Sequence, residues 1–514
     1  MNDSTIPVLI GVGQVTDRPE NQQLLSPLEL IAQAAEKAIQ DAGLHQKRDH
    51  IDTIASVGLT VDADQVKTPF KGAYNNLAHS VGNRLGLSDF RTAYAATGGN
   101  TPQYLVNHYA SEIIKGSESL VLLAGGEALD SMFKRFTPFY KLAFPWRDWK
   151  EKTKIGYAPL GDSLPGNTPT EGRYGMDFPS NVYPMFENAL QAHYGRSREE
   201  HHKAIGELFS RFTKVAAQNP FAWFQKARSA EELITPTPHN RIIAYPYTKY
   251  LNSIIKVNQA AAVILTSVAK AKQLGISSDR WVYLNGFANQ NDHWYVSERD
   301  NFYSSPAIRS AGQRALNMAE VGIDEIDFFD IYSCFPSAVQ IACDALGLKH
   351  DDPRGLTLTG GMPYFGGPGN NYSMHAIVEM VARLREHRGK TGLVNANGWY
   401  LTKHALGVYS TQPPASIDRK VELGNPVILD KATTPTYTDS ASGSARVETF
   451  TYVCDKRGEP SKVIIIGRDQ NHRRFLAEGS ADAQTIDFLN SSSGVIGAQG
   501  KVRHTGRKNV FEFA

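Results

Sequence analysis

Over the first 410 residues, short apolar runs alternate with stretches whose apolar residues recur every three or four positions. That alternation predicts βαβ units built around a largely parallel sheet. Pro7–Val12 reads as a first strand ending in a glycine turn. Ser26-Pro27 then opens LELIAQAAEKAIQDAG. Ser26 suits a helix N-cap, Pro27 suits the first helical position, and Gly43 supplies the stop. Leu30, Ala34, Ala38 and Leu44 keep the helical spacing between them.

The same order of signals returns later. Ser305-Pro306 opens AIRSAGQRALNMAEVG, and Ser26 to Gly43 and Ser305 to Gly322 both span 17 positions. TGGNTPQ (Thr97–Gln103) leads into a helical stretch ending at Gly116 and then the apolar run LVLLAGGEA. GGPGNNYSMHA (Gly366–Ala376) leads into a helix ending near Gly389 and then TGLVNANG. Two parallels in one order predict an internal duplication whose period is far too long for a solenoid.

Between the halves, roughly from Ala128 to Ile243, the periodicity breaks down. FKRFTPFYKLAFPWRDWK, a Pro/Gly-rich stretch and a helical segment from about Ser197 to Gln218 predict a large insertion capping one end of the sheets, where ligands of open α/β folds bind. VNQAAAVILTS then resumes the first half as helix or strand. From about Thr411, Pro413-Pro414 and TTPTYTDSASGS read as a linker. ARVETFTYVCD, SKVIIIGRD, HRRFLAEG, GVIGAQGKVRH and KNVFEFA follow as five short strands, which fit a small barrel of OB type. The resulting boundaries are 1–127 with 244–290 for the first half, 128–243 for the insertion, 291–410 for the second half, 411–442 for the linker and 443–514 for the β-rich module.

Composition narrows the function classes. A chain of 514 residues with 41% hydrophobic and 21% charged residues is long enough for several cores and ordinary for a globular protein. A net charge of +2 supplies no strong field for nucleic acid or an anionic membrane. No run reaches the ~18 apolar residues of a membrane span, and the N-terminus lacks the basic flank of a signal peptide. Three cysteines without CxxC spacing argue against a disulfide framework or structural zinc, so a reducing cytoplasm is expected, with no metal and no covalently bound cofactor. No dinucleotide, P-loop or nucleophile-elbow motif occurs.

The ordered motifs GGNTPQ, LLAGGEA, VNQAAAVILTS, DIYSCFPSA, GGMPYFGGPGNN and NANGW resemble the thiolase superfamily, in its sterol-carrier-protein-type branch and the thiolase-like relatives with an added C-terminal domain. The resemblance covers about residues 5–410 and implies a duplicated α/β thiolase fold in α-β-α-β-α layers, carrying a large loop insertion and an OB-like barrel. It also implies CoA or acyl-CoA as substrate or ligand, and a homodimer or a partner held by the barrel. The family's chemistry needs a nucleophilic Cys at a helix N-terminus, an activating His and a second Cys. By resemblance the nucleophile position falls on Gly99, the His of Gly-His-Pro becomes Gly367, and NANGW holds no Cys.

What the resemblance leaves is a turn and helix start at Gly99, Asn100 and Thr101, with Thr101 as N-cap and free amides to hold a thioester oxygen. Asn397 and Gly398 resemble the oxyanion-hole corner. Tyr332 stands where this branch carries a His, as a candidate acid/base. His375 and His404 are further acid/base candidates. Cys334 is the thiol nearest these motifs, with core packing as its other reading. Tyr247 and Lys249 in YPYTKY resemble the segment near bound CoA. In the terminal module, Arg473, Arg474, Lys501, Arg503, Arg507 and Lys508 lie among Phe475, Phe511 and Phe513, a single-strand-binding pattern set against a docking or lid domain with solvated charges. Three functions follow: non-covalent C–C chemistry on a CoA thioester with Tyr332 as base, an inactive acyl-CoA binder or partner subunit, and nucleic-acid binding through the C-terminal module.

Overall fold

The first half supplies β1 (Pro7–Thr16), β2 (Thr53–Val57), β3 (Arg91–Ala95) and β4 (Leu120–Ala128). The inserted region carries β5 (Ala158–Leu160), β6 (Ile242–Ala244) and β7 (Tyr247–Thr248), and β8 (Asn258–Ser267) completes the first half. The second half has β9 (Val282–Asn291), β10 (Phe328–Ile331), β11 (Thr391–Gly398) and β12 (Lys403–Ser410). A computed structural model describes residues 3–21, 24–63, 66, 68, 70–134, 149–415, 434–491 and 494–514. Most of FKRFTPFYKLAFPWRDWK and residues 416–433 of the expected linker lie outside the described residues.

The strands lie in the order β5-β3-β2-β4-β8-β1-β9-β12-β11-β10. The duplication is visible in it. β1–β8 and β8–β4 are antiparallel and β4–β2 parallel, while β9–β12 and β12–β11 are antiparallel and β11–β10 parallel. VNQAAAVILTS is thus a strand.

Side-chain alternation explains the layers. In β1, Val8 and Ile10 pack with the helix Pro27–Asp41, whereas Leu9 packs with two central helices, Thr101–Lys115 and Tyr372–Glu386. In β4, Leu120 and Leu122 point outward, Val121 and Leu123 inward. Successive residues of a strand face opposite sides, so a strand covered on both faces reads as one apolar run. The Thr101–Lys115 helix is buried nearly all round and keeps Gln103 and Asn107 inside, joined to each other (2.8 Å) and to Tyr409 and Asn289. It ends at Gly116 in the left-handed conformation (φ 82°) as expected. The second-half copy differs: Pro306–Ala319 ends with Glu320 left-handed at φ 57°, two residues before Gly322.

The insertion and the C-terminal strands share a core with the second half. Helices Pro179–His193 and Arg198–Gln218 pack with Phe329, Phe335 and Ile464. β13 (Gly443–Cys454), β14 (Pro460–Asp469), β15 (Arg474–Gly479), β16 (Gln499–His504) and β17 (Asn509–Phe513) close a barrel in the order 13-14-15-17-16-13, with only β15–β17 parallel. The insertion's β6 joins it at Val453↔Ala244, and Asn188 donates to Phe450 O at 2.8 Å. Arg474 fixes the barrel to the second half. It pairs with Glu448 (2.6 Å) and donates to the carbonyls of Ser297, Arg299 and Asp300.

β5 lies parallel on the outer edge of β3, pairing Ala93 with Ala158 and Ala95 with Leu160. A backbone edge that would otherwise offer itself for sheet pairing is therefore covered within the chain. Among the described residues no helix is long and apolar enough to cross a membrane.

At the end of β4, Glu127 is fully buried and accepts from Thr60 N at 2.6 Å. Burial lifts its carboxyl to about 7. The folded state thus holds a proton that the unfolded chain releases near 4.5, and stability falls as pH rises from 4.5 to 7. Glu127→Gln should remove that loss: the variant's stability relative to wild type should grow across this window by up to about 3 kcal/mol. Denaturant midpoints at pH 5 and 8 measure it. An equal difference at both pH values would contradict it.

Candidate functional site

The first central helix begins where the two halves meet. Asn100 occupies the N-cap with φ −77° and ψ −17°, and its side chain caps nothing. The helix therefore starts one residue earlier than the sequence suggests. Thr101 is its first helical residue, and its hydroxyl donates to Ala96 O at 2.7 Å. The Thr101 amide is spent on Gly98 O (3.0 Å), and Pro102 has none. The amides of Gly99, Asn100 and Gln103 remain without a partner among the described residues. Ser373, in the first turn of the other central helix, donates to Gly99 O at 2.6 Å.

The side of Gly99 on which a side chain would start is already full. A Cβ there would collide with the Tyr332 hydroxyl and lie 2.5 Å from Asn397 O. The phenol of Tyr332, not a thiol, occupies the space beside the helix start. Its ring is buried edge-on to Tyr372, with centroids 5.6 Å apart. Burial pushes its ionisation well above that of an ordinary phenol, so at neutral pH it is a hydrogen-bond donor and not the base expected above. Among the described residues its hydroxyl has no partner.

The other candidates separate into two groups. Asn397 gathers at the Gly99 turn, but its amide donates to the Tyr183 hydroxyl (2.9 Å), which also receives Leu401 N and donates to Trp399 O. A Cβ on Gly398 would meet Asn100 Oδ1, so both glycines let this turn and β11 approach closely. Cys334 sits beside Tyr183, and burial raises its thiol to about 12. A thiol held so high is not a nucleophile at neutral pH, and the core reading applies.

The remaining residues lie elsewhere. His375 is wholly buried, bonded to Gln14 Oε1 (2.8 Å) and edge-on to Phe365, and desolvation lowers it to about 3. A ring that stays neutral through the physiological range and faces Gln14 is a core histidine. Tyr247 is fully buried in a network with Glu187 and Ser337 and has no surface for CoA. Lys249 is exposed two residues on. His404 donates through Nε2 to Leu401 O (3.0 Å) and is lowered to about 4 by burial.

His404 lines a cavity of about 300 Å³ on the opposite side of the Gly99 turn, together with Asn100, Tyr104, Asn289, Asn291 and Lys403. The sequence reading passed over Lys403 and Tyr183. Lys403 carried a weak signal, a charged residue at the head of the strand segment KHALGVYS. Tyr183 carried none, because only the fold brings the insertion helix to Asn397.

In the barrel, Phe475 and Phe511 fill the interior and offer no stacking platform. Arg474 is wholly buried, and Arg473, Arg503 and Lys508 pair with Asp469, Glu512 and Glu478. Lys501 and Arg507 are exposed.

Comparison with known proteins fits this geometry. Residues 426–507 match the family model of the thiolase-like protein type 1 additional C-terminal domain, and residues 288–355 match the thiolase C-terminal domain-like model. A monomeric SCP2-thiolase-like protein type 1 from Mycobacterium smegmatis is 33% identical, each chain covering 100% of the other, with a TM-score of 0.81. The chain belongs to the SCP2-thiolase-like proteins of type 1. Weaker likenesses mark the wider fold. An acetyl-CoA acetyltransferase of Methanocaldococcus jannaschii is 21% identical over 322 residues, 62% of this chain and 70% of that protein. The Ltp2–ChsH2 aldolase is 16% identical, covering 80% of this chain and 99% of its own, with a TM-score of 0.59. In this chain residue 99 is glycine, and the Tyr332 hydroxyl lies where a side chain there would begin.

Proposed function

We propose that the protein binds a CoA thioester at the Gly99 turn and holds it without becoming acylated. The observation that carries this reading is the Tyr332 hydroxyl in the space where a side chain at residue 99 would begin. An acyl-enzyme needs a nucleophile there, and no atom at that point can take the role.

What the turn retains is a set of donors. The Tyr332 hydroxyl and the amides of Gly99 and Asn100 are free to meet a thioester oxygen, the task the turn was expected to perform. Tyr332 acts as a neutral donor that orients and polarises the carbonyl. Retro-aldol chemistry with Tyr332 as base asks for a phenolate that burial disfavours, so binding without turnover is the better-supported reading.

Calorimetry with acetyl-CoA and with free CoA tests it. Acetyl-CoA should bind, and Tyr332→Phe should weaken it about three- to tenfold through one lost hydrogen bond, leaving free CoA unchanged. Absence of any heat with either ligand, in correctly folded protein, would remove this reading.

A further inference from the structure

The cavity across the turn from Tyr332 contains an amine that the thioester reading does not use. Lys403 lies in β12, with its side chain 4% exposed. Its Nζ donates to Thr97 O at 2.8 Å and to Asp162 O at 3.4 Å. No carboxylate among the described residues lies within ion-pair distance of it. A neutral amine has two hydrogens and one lone pair, whereas an ammonium has three hydrogens and needs a third acceptor. Two carbonyls therefore satisfy the neutral form completely and leave its lone pair free.

The surroundings agree. The polar groups that line the cavity with Lys403 are Tyr104 from the central helix, Asp162 from the loop after β5, and Asn100, Asn289 and Asn291, with His404, next on the strand, held on Leu401 O. Of these only Asp162 is anionic, and its side chain is at the exposed rim. The indoles of Trp294 and Trp399, each 5.9 Å away, favour the ammonium weakly. Desolvation outweighs both and lowers Lys403 to about 8. Lys403 lines a cavity of about 300 Å³. Asn289 is held by Asn107, which donates to its Oδ1 at 2.8 Å and leaves the Asn289 amide hydrogens for a ligand.

We propose that Lys403 is a nucleophilic amine whose cavity takes a small aldehyde or ketone and binds it as an imine. Nζ adds through its lone pair to the carbonyl carbon and passes one proton to the former carbonyl oxygen, giving a carbinolamine, and then loses its second proton to the departing hydroxyl. That oxygen then leaves as water as the C=N bond forms. No electrons are gained or lost, and water restores the amine. The amides of Asn289 and Asn291 are placed to hold the carbonyl oxygen during addition. The site stands independently of the thioester reading.

Reductive trapping tests it in the intact wild-type protein. Propanal and sodium cyanoborohydride convert any imine to a stable secondary amine, and peptide mass spectrometry locates it. At pH 7.5 an amine titrating near 8 has roughly a hundredfold more neutral form than an ordinary lysine. Lys403 should accordingly be alkylated at least about tenfold faster than the exposed Lys203 and Lys501, with a rate that rises up to about pH 8 and then levels. Lys403→Met should lose this fast phase while labelling of the exposed lysines is unchanged. Labelling of Lys403 no faster than Lys203, or none at all, would overturn the proposal.

Discussion

Gly99→Ala should lower stability by on the order of 3 kcal/mol, although the backbone at residue 99 is not left-handed and would accept alanine elsewhere. The cost comes from a neighbour. The new methyl meets the Tyr332 hydroxyl and Asn397 O in a region where neither can withdraw: Tyr332 is packed against Tyr372, and Asn397 is paired in the ladder with His404 of β12. Tyr332→Phe removes the first obstruction and leaves the second. Gly99→Ala should therefore cost clearly less in a Tyr332→Phe background than in wild type, a coupling of 1 kcal/mol or more between residues 233 positions apart. Denaturant midpoints of the four proteins give the cycle. Additive effects would mean that the hydroxyl does not fill this space.

Arg474→Ala should be the most damaging change in the barrel, costing about 3–5 kcal/mol. It takes from half-buried Glu448 one of its two arginines, Arg468 remaining at 2.6 Å, and leaves three carbonyls, those of Ser297, Arg299 and Asp300, without donors, at about 1–3 kcal/mol for each buried group. Because these bonds join the barrel to the second half, the loss should show first as faster amide exchange in β15 and around residues 296–300. Exchange in the central helices should change little. Arg474→Lys should rescue little, since a single ammonium cannot serve a carboxylate and three carbonyls in a planar fork. Uniform acceleration across the chain would contradict the assignment of Arg474 as a local fastener.

How much of this was legible in sequence depended on whether the cause was local. The five barrel strands were readable because each is a short apolar-rich run and glycines punctuate most of the turns between them, and their order along the chain matches β13 to β17. The helix Ala483–Ser491 between them went unread, being short and only weakly amphipathic. VNQAAAVILTS stayed ambiguous because a strand covered on both faces shows no alternation. Pro184 hid the helix Pro179–His193 by resembling a break.

The site was legible as a missing chemistry more than as a present one. Glycine at residue 99 could be read directly, but what fills the adjoining space could not, because Tyr332 arrives from 233 positions away. The expected acid/base role of His375 rested on residue type and that of Tyr332 on its place in a motif, and burial bears on both: one ring stays neutral, the other stays protonated. Tyr247 was placed near CoA by resemblance to a segment, while its hydroxyl is spent inside the protein on Glu187 and Ser337.

The central claim is that a CoA thioester is held at this turn non-covalently. Incubation with acetyl-CoA labelled in the acetyl group, followed by acid quench and peptide mapping of the denatured chain, measures it directly. Ligand should be retained by the native protein before the quench, and no label should remain on Cys334, Cys343 or Cys454 afterwards. A stoichiometric acetyl thioester on Cys334 would contradict the account, because it would show that a thiol reaches the bound acyl group.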